Sequence, residues 1–242
     1  MKQGKYSNDN PFHNYEAASF AESYQQVLKL IHLSSNPNIL DLASGKGDEA
    51  QALRGMFGGT VYELDINDEP GKLSNNQRLK VLANLEQLPF AGESFDFLHI
   101  KDSIVHIPNL DKFFSESVRI LKPGGQLLVV VEILGDDEQK NDPYFIVYKN
   151  NNNVTQPEVV RFGSNDDYNE AVSKYLEAKQ NAEEILEISP PYFHRHSREI
   201  VGEASTAGLS FSFLFNSPDT WTPEANEKNW GHYQRKIFLF KK

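Results

Sequence analysis

The sequence predicts an α/β fold with a doubly wound, mostly parallel sheet of seven strands. Short apolar segments alternate with amphipathic helical segments through the first half of the chain, an order typical of a parallel sheet covered by helices on both faces. Residues 126–134, QLLVVVEIL, are strongly apolar, which predicts a strand in the centre of that sheet. Two aromatic segments, FSFLF and KIFLF, predict the last two strands, including a C-terminal antiparallel strand.

The elements before the central strand follow from periodicity. Apolar residues at spacings of three and four predict a helix from Phe20 to Ile31, within an N-terminal helical cap over residues 1–34. Further helical stripes end at Gly58-Gly59 and at Lys122-Pro123-Gly124-Gly125. Four apolar segments predict the strands between these helices: 38–43, 60–66, 78–85 and 95–100.

The chain changes character after Gly135. Residues 136–163 contain acids, prolines and the run Asn150 to Asn153, which predict a loop or a poorly ordered excursion. Apolar residues from Tyr168 to Leu186 then predict a long helix. Residues 136–196 therefore form a helical insertion after the fifth strand of a single domain spanning 1–242, and such insertions often cover a site.

Composition excludes several classes of protein. With 39% hydrophobic residues in 242, the chain is not disordered throughout. The sequence has no cysteine, which excludes disulfides, thiolate metal sites and cysteine nucleophiles. A formal net charge of -10 makes a nucleic-acid partner unfavourable. No leader and no apolar run of about eighteen residues is found, so we expect a cytoplasmic protein without a membrane anchor. Oligomeric state has no signal in the sequence.

The segment Asn38–Ala50, NILDLASGKGDEA, is the candidate binding turn. Ligands of parallel α/β sheets bind beyond the carboxyl ends of the strands, and this turn follows the first strand. Gly45 and Gly47 allow a ligand to approach the backbone closely. The spacing matches neither the dinucleotide pattern G-x-G-x-x-G nor a P-loop, in which Ser or Thr follows Gly-Lys.

The acids around this turn indicate the ligand. Asp48 and Glu49 lie in the first helical turn and would repel a pyrophosphate. Asp41 could meet an ammonium group directly or through water, and Asp65, at the end of the second strand, could accept both hydroxyls of a ribose. An ammonium group and a ribose together predict an amino acid joined to a nucleoside.

Over residues 38–132 the chain resembles class I S-adenosylmethionine-dependent methyltransferases. Asp41, Gly45 and Gly47 match the family pattern D-x-x-x-G-x-G, with Ala43 where glycine is more frequent, and Asp65 matches the ribose acid. NLEQLPF resembles a segment that usually reads D-A-E-x-L-P-F, and SFDFLHI and RILKPGG match the fourth strand and the turn before the fifth. The resemblance implies the Rossmann-like methyltransferase fold and S-adenosylmethionine as cofactor. It also implies that Asn84 lies near the adenine amino group and the Leu85 backbone near the adenine ring nitrogens.

The resemblance also implies a set of site residues. His106 corresponds to a histidine that faces the transferred methyl group, as a general base or substrate-orienting residue, although a packing histidine is an equal alternative. Tyr15 and Phe20 would close over the cofactor. The predicted cofactor-binding residues are Asp41, Ala43, Ser44, Gly45, Gly47, Asp65, Ile66, Asn84, Leu85, Lys101 and Tyr15.

The predicted function is methyl transfer to an oxygen, nitrogen or carbon nucleophile of a small molecule, with residues 136–196 as substrate cover. The alternatives are a protein or RNA acceptor, a non-catalytic regulatory domain that binds the cofactor, and a nicotinamide dehydrogenase. We expect the Lys101 side chain and Asp102 to lie in solvent. We expect His194-Arg195-His196 to lie at the surface or in the substrate cover, because these residues lack the partners of a metal site.

Overall fold

The structure of the protein is a computed structural model. It describes residues 24–25, 27–68, 79–134, 143–151, 154–161, 185–188, 192–193, 195–221 and 233–242. The predicted cover residues Tyr15 and Phe20 lie outside these ranges, as does the predicted helix between residues 168 and 184.

Ten strands, three α-helices and one 3₁₀ turn are found in the described residues. The strands are β1 (Asn38–Leu42), β2 (Thr60–Asp65), β3 (Leu79–Leu82), β4 (Phe95–Lys101), β5 (Leu121–Leu134), β6 (Tyr144–Asn151), β7 (Val154–Arg161), β8 (Ile185–Ile188), β9 (Ser210–Trp221) and β10 (Tyr233–Lys241). The helices are α1 (Asp48–Phe57), α2 (Leu110–Ile120) and α3 (Ser197–Thr206), and the 3₁₀ turn is Ile104–His106. Residues 24, 25 and 27–30 are also helical and are called the N-terminal helix.

Seven strands form the main sheet, in the order β3-β2-β1-β4-β5-β10-β9. Strands β1 to β5 pair in parallel, whereas β10 runs antiparallel to both β5 and β9. The strand order reverses beside β1, so the turns after β1 and β4 meet where ligands of such sheets bind. The predicted doubly wound, seven-stranded sheet is confirmed.

Both faces of the sheet are covered by helices. On one face, the N-terminal helix and α1 pack against sheet residues such as Phe97 of β4. The helix residues in this contact are Tyr24, Val27, Leu28 and Leu53. On the other face, residues of α2 and α3 pack against Leu40, Leu98 and Leu127. Adjacent residues of one strand point to opposite faces, so a strand buried on both faces must be apolar at nearly every position. None of the described helices is long and apolar enough to span a bilayer.

Strand β5 begins earlier than predicted. Lys122 to Gly125, predicted to turn the chain before the strand, lie inside β5, where a register shift against β4 falls between Phe95 and Phe97. Gly124 has a φ of 77°, a conformation that glycine adopts without steric cost. The bulge therefore absorbs the turn without ending the strand.

The described part of the insertion is a sheet. Strands β6 and β7, within the segment predicted as a loop or a poorly ordered excursion, pair antiparallel from Tyr144–Arg161 to Asn151–Val154, so the loop prediction was wrong there. Ile185 and Leu186, predicted as helix, lie in β8, which pairs with the other edge of β6. Strand β6 reads YFIVYKNN, and its aromatic and β-branched residues favour a strand, whereas the asparagine-rich composition concealed it.

Candidate functional site

The turn between β1 and α1 places alternate residues in the left-handed region. Ala43 has a φ of 56°, Gly45 of 49° and Gly47 of 82°, and Gly47 is the N-cap of α1. For Ala43 this conformation costs roughly 1–2 kcal/mol, a steric cost that glycine would not carry. A Cβ atom added to Gly45 would meet no atom within 4 Å, so the space over this residue is open.

Asp65 holds the glycine turn in place. Its Oδ2 accepts a hydrogen bond from the backbone N–H of Gly45 at 2.7 Å, and its Oδ1 accepts one from Asn67 at 2.9 Å. Lys80 Nζ donates to the Gly45 carbonyl at 3.2 Å. Each carboxylate oxygen of Asp65 retains further lone-pair capacity, so the predicted ribose contacts are compatible with both bonds. The following residue, Ile66, is 71% exposed.

A second turn follows β3 at the same edge of the sheet. Asn84 is exposed, and its Oδ1 accepts the backbone N–H of Glu86 at 2.9 Å. The amide oxygen is thus engaged by its own turn, and the amide NH₂ of this exposed residue can act only as a donor. Leu85 is partly buried beside it. An acid in place of Asn84 could accept a hydrogen bond from a ligand there, whereas the asparagine presents donors.

Arg119 on α2 fixes the segment behind Asn84. Its guanidinium donates to the carbonyls of Phe90 at 2.7 Å and Leu88 at 2.8 Å, and Glu116 accepts from the Leu88 N–H at 2.7 Å. Arg119 and Glu116 also form an ion pair at 2.7 Å. Arg119 is the first residue of RILKPGG, and its contacts brace the predicted adenine segment from behind.

A hydrogen-bonded chain of side chains lies under the glycine turn. His99 Nδ1 lies 2.7 Å from Asp41 Oδ1, and His99 Nε2 lies 2.7 Å from the Tyr24 hydroxyl. The Tyr24 hydroxyl donates to Glu49 Oε2 at 3.1 Å, and Lys101 Nζ donates to Glu49 Oε1 at 2.7 Å. Tyr24, Glu49 and His99 were not predicted as site residues. The sequence signal that could have indicated this chain is an acid on β1, Asp41, with a histidine opposite it on β4, His99.

Asp41 is buried, with 2% of its surface exposed. Burial raises the pKa of its carboxyl group, and the hydrogen bond with His99 opposes that shift. Its Oδ2 has no hydrogen-bond partner within the described residues, and the same is true of the Ser44 hydroxyl. Buried polar atoms without partners are costly, so a water molecule or a ligand at this point would stabilise both. The predicted role of Asp41 toward an ammonium group remains a prediction.

The Lys101 side chain was predicted in solvent, which is wrong. It is 17% exposed, pairs with Glu49 and lies 5.7 Å from the centre of the Tyr24 ring. Burial raises the pKa of Glu49, but the hydrogen bond and charge of Lys101 outweigh it and hold that pKa below its usual range. Glu49 is therefore neutralised by a partner and repels an anion less than its sequence position suggested. Asp102 is exposed, as expected.

His106 ends the 3₁₀ turn that follows β4, at the predicted edge of the sheet. It is half-buried and meets the ring of Tyr192 edge-on, with centres 5.8 Å apart. Tyr192 in turn stacks on Tyr144 at 5.1 Å, and its hydroxyl donates to the Glu132 carbonyl at 3.2 Å. The insertion thus supplies an aromatic wall beside His106, which is compatible with either of the roles predicted for that residue.

Arg195 and His196 were expected at the surface or in the substrate cover, and the surface position is wrong because both residues are buried. The Arg195 guanidinium donates to the carbonyls of Ile107 and Pro108 and pairs with Glu199. A large cation satisfied by carbonyls and a carboxylate can be buried, and here it fixes the chain after the insertion to the 3₁₀ turn. No group of three metal-ligating side chains is found within the described ranges.

Comparisons with known proteins agree with this geometry. A family model described as a methyltransferase domain matches residues 40–129. The chain is similar to the ubiquinone/menaquinone biosynthesis C-methyltransferase of Rickettsia typhi, 35% identical over 107 residues that make up 38% of this chain and 43% of that protein. It is also similar to the sterol 24-C-methyltransferase of Schizosaccharomyces pombe, 26% identical over 142 residues, 53% of this chain and 38% of the relative. The chain thus spans less than half the length of these curated relatives.

Solved structures extend the likeness to the whole fold. Geranyl diphosphate C-methyltransferase from Streptomyces coelicolor, solved with Mg²⁺, geranyl diphosphate and S-adenosyl-L-homocysteine, has a TM-score of 0.60 at 14% identity and covers 92% of this chain and 78% of its own. At that identity the likeness concerns the fold alone. The glycine turn, Asp65 and the Asn84 turn all lie within residues 40–129, the segment that the methyltransferase-domain model matches.

Proposed function

We propose that the protein is an S-adenosylmethionine-dependent methyltransferase acting on a small molecule. The observation that carries the proposal is the hydrogen bond between Asp65 and the Gly45 backbone. It brings a residue suited to a ribose and a turn suited to an amino-acid moiety to within one hydrogen bond of each other. A nucleoside joined to an amino acid needs both groups at that separation.

The residues present fit this cofactor. Gly45 leaves open space over the turn, and Asp41 Oδ2 and the Ser44 hydroxyl are buried polar atoms that have no partner within the described residues. Asp65 would accept from the ribose, and the Asn84 turn would hold the adenine. When bound, the cofactor supplies a methyl group activated by the positive charge on sulfur. The protein's own residues hold the two reactants in line and exclude water.

His106 would orient the acceptor or take its proton. Its ring contacts the Tyr192 ring, and the residue is half-buried, so part of it remains accessible. A hydroxyl or ammonium acceptor must lose a proton, and a histidine titrates in the range in which it can remove one. A carbon acceptor that is already electron-rich needs the histidine for orientation alone.

A small, partly apolar acceptor is favoured by two observations. Tyr144 and Tyr192 form a stacked pair beside His106, a surface that suits flat or apolar molecules. The relatives named above are C-methyltransferases of quinone biosynthesis and of sterols. The net charge of -10 argues against an RNA acceptor. Cytoplasmic location and the roles of residues 1–34 and 136–196 remain predictions from the sequence.

The test is calorimetric titration with S-adenosylhomocysteine, with NAD as the control ligand. Micromolar binding of the first alone supports the proposal, and methyl transfer from labelled S-adenosylmethionine to candidate quinones, sterols and prenyl compounds then identifies the acceptor. Tight binding of NAD would instead support a dehydrogenase. Binding of S-adenosylhomocysteine without transfer to any small molecule, protein or RNA would favour the non-catalytic regulatory domain.

A further inference from the structure

Four side chains from four different elements meet in one buried hydrogen-bonded chain. Asp41 of β1, His99 of β4, Tyr24 of the N-terminal helix and Glu49 of α1 are joined in that order by contacts of 2.7, 2.7 and 3.1 Å. These four residues are called the buried chain. His99 is 0% exposed, Asp41 2% and Tyr24 6%, so solvent does not replace the bonds among these three residues, whereas the Glu49 side chain at the end is 28% exposed. Its last member, Glu49, is the second residue of α1 and lies two positions after Gly47.

The hydrogens of the buried chain can be arranged in two ways. If the Tyr24 hydroxyl donates to Glu49, then His99 Nε2 must carry a hydrogen and donate to the Tyr24 oxygen. One more proton then lies between Nδ1 and Asp41, which makes three protons in all. If Tyr24 instead donates to Nε2, that nitrogen is bare, Nδ1–H donates to the Asp41 carboxylate, and the chain holds two protons.

We propose that Tyr24 is a positioning residue whose hydroxyl ties the N-terminal helix to Glu49 when the buried chain holds three protons, and releases Glu49 for His99 when it holds two. Gain of one proton thus decides whether the N-terminal helix is fastened to the helix that follows the glycine turn. The consequence for ligand affinity rests on the proposed cofactor site, whereas the proton arrangement itself does not.

The charges around the buried chain support two accessible states. Lys101 pairs with Glu49 at 2.7 Å and keeps it an acceptor in both arrangements. Glu63 faces Asp41 but is paired with Arg54 at 3.7 Å, and Asp102 adds a further negative charge near Tyr24. Burial raises the pKa of Asp41, which favours the third proton. Burial and the neighbouring acids Glu49, Asp41 and Asp102 raise the pKa of Tyr24 far above its usual value, so its hydroxyl stays protonated throughout.

The first test compares S-adenosylhomocysteine affinity in the wild type and in Tyr24→Phe from about pH 5.5 to about pH 9. The ratio of the two affinities isolates the hydroxyl, because other pH effects act on both proteins alike. At low pH we expect Tyr24→Phe to bind S-adenosylhomocysteine about tenfold more weakly than the wild type, because the variant lacks the hydrogen bond from the hydroxyl to the charged Glu49. At high pH the wild type lacks that bond too, so the ratio of the two affinities should fall toward one. Tyr62→Phe, which removes a tyrosine hydroxyl outside the buried chain, is the matched control and should give a ratio that does not change with pH. A ratio for Tyr24→Phe that is constant with pH would overturn the proposal.

The second test needs no ligand. Nitrogen NMR of the His99 ring should show Nε2 carrying hydrogen at low pH and bare at high pH, while Nδ1 retains a hydrogen bond to Asp41. An Nε2 signal that keeps one protonation state throughout the range would refute the switch. If the wild type binds no S-adenosylhomocysteine at any pH, the proposed function fails, and the His99 signal still decides the proton arrangement.

Discussion

The carboxylate of Asp65 and the backbone N–H of Gly45 are joined by a hydrogen bond of 2.7 Å across the ends of two neighbouring strands. The acid that would bind the ribose therefore also holds the turn that would bind the amino-acid moiety. Disturbing one of these parts must disturb the other, and this coupling gives the first prediction.

Asp65→Asn should weaken S-adenosylhomocysteine binding at least tenfold and lower the free energy of unfolding by about 1–2 kcal/mol, since one oxygen replaces two charged acceptors. Calorimetry and urea unfolding measure the two effects. Asp96→Asn is the matched control: Asp96 also accepts a backbone N–H, from Asn38 at 2.8 Å, away from the site. It should lose stability with unchanged affinity, and an equal loss of affinity in both variants would count against the assignment of Asp65.

Gly45→Ala should abolish or greatly weaken cofactor binding, because its Cβ would enter the open space over the turn. The left-handed conformation adds a folding cost of roughly 1–2 kcal/mol. Gly124→Ala is the control that separates the loss of binding from the folding cost. Gly124 has a φ of 77° and likewise has no atom within 4 Å of an added Cβ, but it lies in the bulge of β5. Unchanged affinity in Gly45→Ala would remove the turn from the binding site.

Ala43→Gly should stabilise the protein. At a φ of 56° the alanine is strained, and relief of this strain exceeds the extra flexibility of glycine in the unfolded chain by about 0.5 kcal/mol. Urea unfolding measures the gain, and cofactor affinity should not fall. A loss of stability would show that the alanine methyl group contributes packing that outweighs the strain.

Arg119→Met should weaken S-adenosylhomocysteine binding about threefold to tenfold, because the carbonyls of Leu88 and Phe90 lose the donors that fix the predicted adenine segment. Titration with adenosine should show the same relative loss. Arg54→Met provides the comparison, since Arg54 donates to the Val61 carbonyl and pairs with Glu63 elsewhere on the sheet. Equal binding by wild type and Arg119→Met would leave the arginine a purely structural residue.

The Lys101–Glu49 pair should make stability depend on pH. The pKa of Glu49 is lowered in the folded protein, so this carboxylate contributes stability above its unfolded pKa near 4.3, and the contribution is lost as pH falls through the folded value. Lys101→Met should therefore lower the free energy of unfolding by about 1–2 kcal/mol at neutral pH. The difference from wild type should shrink below about pH 4. Urea unfolding at both pH values measures it, and a difference independent of pH would contradict the assigned role.

The strands of the main sheet and the position of the glycine turn could be predicted because both follow from local patterns. Apolar strands and the spacing of Gly45 and Gly47 are visible within a few residues of sequence. The buried chain could not be predicted from the sequence, because Tyr24, Glu49 and His99 become neighbours only when distant elements pack together. Taken singly, each of these residues is of a type that is common at surface or core positions.

The insertion was mispredicted for a different reason. In β6 the strand-forming residues stand next to lysine and asparagine, and the asparagine-rich composition outweighed the unbroken run of aromatic and β-branched residues from Tyr144 to Tyr148. Arg195 was expected at the surface or in the substrate cover, and no local signal revealed the carbonyls of Ile107 and Pro108 that satisfy it in the interior. Burial of a charge depends on partners that sequence proximity does not disclose.

Strand β10 lies between β5 and β9 and forms nine residue pairs with β5, from Tyr233–Leu134 to Lys241–Gln126. Until residues 233–241 have been synthesised, β5 presents an apolar edge without its partner, so the nascent chain passes through a state in which Val129 and Val131 are open to other strands. Bringing together segments so far apart in sequence slows folding. Expression at high rate should therefore favour aggregation over native yield, and slower synthesis or chaperone binding to this edge should recover it.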